Sequence, residues 1–183
     1  MLVSPRPRRR RRAQLAAALA AFASMAAFAS LAAGPALAQS VKQIGVYRDW
    51  SAYTATENNG QICFAVSKPV EVVPSPDGYT QAYLYLTRRP AEKIADELNL
   101  VAGFTFAADQ PATLTVNGAV FNLFTKDDSA WLDDPAQNDN VAGTMRAGTT
   151  AVIDATSDKG IKIRETFSLS GATAASKAID SGC

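Results

Sequence analysis

Two cysteines, seventeen acidic residues and not one histidine set the chemistry open to this chain. Without histidine there is no Ser-His-Asp or Cys-His machinery, no imidazole-ligated zinc, and no side chain that titrates unaided near neutral pH. Carboxylate chemistry remains. Glycoside hydrolysis needs two carboxylates facing each other across about 5–9 Å. The adjacent pairs Asp127-Asp128 and Asp133-Asp134 point apart on a strand or loop. The segment from Asp127 to Asn140 gathers five Asp and two Asn around Trp131, oxygen ligands of the kind calcium takes. It lacks the central Gly and terminal Glu of a calcium loop, and Asp before Pro135 reads as a helix cap. No catalytic residue, cofactor or metal is expected. Cys63 and Cys183 lack CxxC spacing and have no histidine to share a metal with. In an oxidising compartment they should pair as a structural disulfide closing the last residue onto the domain. Trp50, Trp131 and the pair Arg88-Arg89 are the residues that could meet a partner. The competing readings are core aromatics for the tryptophans and a solvated strand end for the arginines.

The charges are segregated. Six of the 18 basic residues (Arg6 and Arg8 to Arg12) lie in the first twelve positions, and every acidic residue lies beyond position 48. An apolar, alanine-dominated run from Ala13 to Ala33 follows, then Gly34-Pro35 and the small-x-small triplet Ala36-Leu37-Ala38. That is the anatomy of a signal peptide, with cleavage expected between Ala38 and Gln39. Residues 1–38 are thus read as a removed leader and 39–183 as a single mature domain. No Cys near the site offers a lipid anchor, and Sec export fits better than the twin-arginine route because apolar residues do not follow the arginines. The mature domain keeps 12 basic and 17 acidic residues, a net charge of −5. An acidic domain is a poor match for nucleic acid, and no stable membrane span is expected after cleavage.

Positioning these residues falls to β-structure. Ala112–Val116 and Ala119–Thr125 flank Asn117-Gly118, a type I′ hairpin signal. The register implied puts Val116 opposite Ala119, Leu114 opposite Phe121 and Ala112 opposite Leu123. Thr150–Thr156 and Ile161–Leu169 flank a turn ending in Gly160, and Ile161, Ile163, Phe167 and Leu169 mark the buried face. Trp50–Thr54 pairs with Gln61–Ser67, where Ile62, Phe64 and Val66 share one side and Cys63 takes the other. Thr80–Arg88 alternates as another strand. Lys68–Gly78, with three prolines, reads as an exposed loop, and Pro90–Gly103 as a loop followed by a strand. Short helices are predicted after Pro135, burying Val141 and Met145, and over Ala172–Ser181 with Ser170 as its cap. Seven or eight strands fit an all-β two-sheet sandwich, with a small barrel as the alternative.

The chain resembles the invasion-associated locus B family, exported proteins of alphaproteobacteria. The resemblance is carried by Asp49-Trp50-Ser51, Ile62-Cys63-Phe64-Ala65, Tyr83–Pro90 and Phe121–Leu132. It continues through Met145–Thr149 and Phe167–Gly171 to Cys183. It implies an immunoglobulin-like β-sandwich, a periplasmic, outer-membrane-associated or secreted location, and a link to host-cell invasion. It implies no reaction, cofactor or catalytic residue. The expectation is a non-enzymatic envelope or secreted interaction protein whose partner is an unknown envelope or host protein. The alternatives are a periplasmic small-ligand carrier, which predicts an apolar pocket near Trp50 or Trp131, and an enzyme with converging carboxylates.

Overall fold

The computed structural model describes residues 40–57 and 60–183. The expected leader and its expected cleavage point, Ala38 and Gln39, lie outside the described residues. Eleven strands form: β1 (Lys42–Tyr47), β2 (Trp50–Glu57), β3 (Gly60–Ser67), β4 (Pro69–Val73), β5 (Tyr83–Arg89) and β6 (Ile94–Val101). β7 (Ala112–Val116), β8 (Ala119–Lys126), β9 (Ser129–Leu132), β10 (Thr150–Thr156) and β11 (Lys162–Ser168) follow. Two helices, α1 (Asn138–Ala147) and α2 (Ala172–Gly182), complete the domain.

The strands pair in the order β1-β2-β3-β5-β6-β9-β8-β7-β10-β11-β4, every pairing antiparallel. The ladder folds back on itself, so that its two halves bury one shared core. Trp50 and Leu84 from one half meet Leu114 and Phe167 from the other in a single hydrophobic cluster. The fold is a two-layer β-sandwich with one disulfide, and its layers are joined by a continuous ladder. Two contacts lock the return: the Trp50 indole N–H donates to the Ser168 carbonyl at 2.9 Å, and the Asp49 amide donates to the Ser170 carbonyl at 3.2 Å. Gly171 makes this approach feasible. It has φ +96°, and a Cβ there would stand 1.7 Å from the Tyr47 carbonyl oxygen.

Local chemistry explains the hairpins. Asn117 and Gly118 both have positive φ (50° and 82°), and the β7–β8 register matches the pairs expected from the sequence. The β10–β11 hairpin likewise forms, closed by Gly160 at φ +75°. Asp134 accepts from the Ala136 amide at 3.0 Å and caps the 3-10 turn that leads into α1, which buries Val141 and Met145.

Two expectations are corrected. Pro69–Val73 is a strand and not loop: it lies on the outer edge of β11, where a proline's missing N–H removes no ladder bond. Ser170 does not cap α2; the N-cap is Gly171, with no side-chain bond. The segment Pro90–Gly103 is a turn followed by a strand, as expected: a 3-10 turn covers Pro90–Glu92 and β6 runs from Ile94 to Val101.

Candidate functional site

On the outer face of the layer containing β2, β3, β5, β6, β9 and β8, aromatic side chains line up across the strands. Tyr53 pairs with Phe64 in the β2–β3 ladder and their rings stack, centroids 5.3 Å apart. Phe64 meets Tyr85 on β5 at 6.0 Å, and Tyr85 meets Tyr83 at 6.2 Å. Across β6, Asn99 separates Tyr85 from Trp131, being the ladder partner of both. Trp131 then stacks on Phe124 of β8 at 5.6 Å. The cause is alternation: small or aliphatic inward residues (Ala52, Ala65, Leu84, Leu86, Leu98, Leu100) are fully buried, which places every second, aromatic residue outside. The other half of the ladder differs. Its outer row holds Thr113, Thr115, Val152, Thr166 and the paired Asp154 and Arg164, with no aromatic among the described strand residues.

Of the residues singled out from sequence, only Trp131 and Arg89 lie on this face. Trp131 is half-buried beside Phe124, which is 49% exposed. Trp50 must be withdrawn as a contact residue: it is wholly buried, because its indole fills the seam where the ladder closes. It lines no groove, which also removes the basis for a ligand pocket there. Arg88 must be withdrawn too. Alternation after Leu84 and Leu86 points Arg88 inward, opposite the buried Cys63, where it is ion-paired with Asp180 on α2 and lies 3.6 Å from Asp96. Arg89 stays outside but is ion-paired with Glu97. The anions these arginines could have sought in a partner are supplied by the chain.

The edge strands are poor docking sites. Val46 on β1 and Val70 on β4 are exposed. However, β1 carries Lys42 and a register shift at Gln43/Gly45, and β4 begins at Pro69 and holds Glu71. Charge, bulge and proline are the devices that blunt strand addition.

Two buried carboxylates escaped the sequence reading. Glu165 occupies the inward slot of β11 that alternation assigns to an apolar residue, and it is 1% exposed. Its Oε1 accepts from the Tyr79 hydroxyl at 2.9 Å, while Oε2 has no hydrogen-bond partner among the described residues. Burial raises the Glu165 pKa, and the Tyr79 hydrogen bond pulls it partly back. Burial also raises Tyr79, with the nearby Glu165 charge adding to the effect. Gly103 admits the Tyr79 ring, since a Cβ there would lie 2.3 Å from it. The pair fastens the loop before β5 to β11. Asp96, with φ 54° in β6, takes a hydrogen bond from Arg146 of α1 at 3.1 Å. Its only sequence signal was a charge among Ile94, Leu98 and Leu100. The aspartates around Trp131 cap and decorate turns, and no cluster able to hold a metal occurs among the described residues.

The profile of the invasion associated locus B (IalB) proteins matches residues 50–180, well over half of the chain and all of the layer just described. The chain belongs to the IalB family. Among solved structures it is similar to invasion associated protein B from Bartonella henselae, with a TM-score of 0.52 and 16% identity over 76% of this chain and 96% of that one. At that identity the likeness is one of fold. No curated protein sequence matches. The IalB match covers Cys63, the aromatic face and Asp180, and stops short of Cys183.

Proposed function

We propose that this IalB-family protein is an exported, non-enzymatic interaction module. In this reading the chain is cut after Ala38, and residues 39–183 work in the periplasm, at the outer membrane or outside the cell. There the aromatic outer face meets an envelope or host protein. One observation carries the reading: within a single ladder, one outer face collects Tyr53, Phe64, Tyr83, Tyr85, Phe124 and Trp131, while the other carries threonine, valine and paired charge and no aromatic among the described strand residues. Aromatic residues are enriched at protein interfaces because a rigid ring contributes large contact area at little entropic cost. The disulfide between Cys63 and Cys183 supports export, since such bridges persist in oxidising compartments. No helix among the described residues is long and apolar enough to cross a membrane. The word "invasion" in the relative's name makes host contact one use to examine.

The test is photo-crosslinking in intact cells. A benzophenone amino acid at Phe124 should capture a protein in a discrete band. The same group at Val152, on the threonine-rich outer face, should capture little. Equal labelling from both positions, or none from either, defeats the proposal.

A further inference from the structure

Helix α2 ends at the disulfide, yet side-chain bonds that owe nothing to sulfur also hold it. Arg88 on β5 is the ladder partner of Cys63 on β3, and Asp180 stands three residues before Cys183, one helical turn back. The Arg88–Asp180 ion pair therefore runs beside the Cys63–Cys183 bridge, one tying the end of α2 to β5 and the other tying it to the neighbouring β3. The arrangement is backed on both sides. Asp96, with its side chain only 9% exposed, faces the guanidinium groups of Arg88 and Arg146, and Arg146 also donates to Ser176 of α2 at 3.3 Å. On the opposite flank Gln61 donates to the Gly182 carbonyl at 2.6 Å. The apolar contribution of α2 is small, with Ala172, Ala175 and Ile179 the hydrophobic residues it buries.

We infer that Arg88 and Asp180 form an electrostatic latch that docks the C-terminal helix and registers Cys183 against Cys63 before the disulfide closes. Cys63 is fully buried, whereas Cys183, at the chain end, is partly exposed. An external disulfide oxidant thus reacts first with the Cys183 thiolate, forming a mixed disulfide and releasing one thiol. The Cys63 thiolate then attacks the Cys183 sulfur and expels the second thiol, so two protein thiols and one oxidant disulfide become one protein disulfide and two small thiols. Only the second step needs the helix in place. The latch acts there by raising the fraction of chains in which the two sulfurs are in register.

The experiment uses the intact 183-residue chain, reduced and then offered oxidised glutathione, with acid trapping to follow loss of the mixed disulfide. Asp180→Asn is the primary variant, because this side chain is 47% exposed and its change spares the core. Ring closure should slow roughly two- to fivefold, the range a partly exposed ion pair warrants. Asp180→Glu should recover most of the rate, and Arg89→Gln, which breaks the pair with Glu97, should leave it unchanged. In ~1 M sodium chloride, where the screening length is about 3 Å, the unmodified chain should slow towards the Asp180→Asn rate while that variant holds steady. Equal closure rates, a slowing of the same size in Arg89→Gln, or a salt effect common to both chains would each overturn the latch.

Discussion

Glu165 is held where a leucine would ordinarily fit, and its behaviour with pH follows from that placement. Burial makes the protonated form the one the fold favours, so the folded-state pKa lies above the ordinary 4.5. An acid raised in this way adds most to stability below pH 4.5, and the contribution falls as pH climbs through the folded pKa. Glu165→Gln keeps an acceptor for Tyr79 and removes the charge. Its melting temperature should therefore match the parent at pH 4 and exceed it at pH 7; a lower value at pH 7 would count against a penalised carboxylate. Glu165→Ala leaves the Tyr79 hydroxyl without its acceptor and should cost about 1–3 kcal/mol in urea unfolding. Trp50 shows the opposite placement, an aromatic that seals the core. Trp50→Ala should cost about 3–5 kcal/mol, the loss expected of a core residue and not of a surface one.

Helix α2 and the turns around it show how a weak element is secured. Eleven residues with three buried hydrophobic side chains would not stay docked on apolar contact alone. Removing the bridge with Cys63→Ser and Cys183→Ser should lower the unfolding free energy by about 2–5 kcal/mol, read from denaturant midpoints. At the other end of α2, Gly171→Ala should destabilise by at least about 1–3 kcal/mol from positive φ, and further because the Cβ meets the Tyr47 carbonyl. If Gly171→Ala melted with the parent, the close approach of β1 to the start of α2 would be wrong. The β7–β8 hairpin was legible in advance because an Asn-Gly turn and strict alternation fix one register. β4 was not, because three prolines hide an edge strand whose partner, β11, lies some 90 residues away in sequence.

The molecule is asymmetric in a way its net charge conceals. One half of the ladder presents aromatic rings outward and the other presents threonines, while the charged residues near the helices mostly satisfy each other. The export reading predicts an intact mass for the purified extracellular or periplasmic protein that starts at Gln39 and is two hydrogens lighter than its reduced form. A full-length species with free thiols would contradict it. The contact-face reading makes a separate demand: Phe124→Ser should leave the melting temperature nearly unchanged, since this residue is half exposed, yet reduce capture of the partner.

Local information was enough for the strand count to within a few, the β7–β8 register, the turn at Pro135 that leads into α1, the pairing of the only two cysteines and the family. Each rests on short-range rules: turn stereochemistry, alternation, capping and the arithmetic of two thiols. The roles of Trp50, Arg88, Asp96 and Glu165 depended on which distant strands came together. A tryptophan is core or surface according to what closes over it, and the inward-facing Arg88 is satisfied by Asp180 and Asp96, which α2 and β6 bring to it. Burial and partnership between residues a hundred positions apart are properties of the folded ladder, because the free energy of a polar group is set by its surroundings and not by its neighbours along the chain.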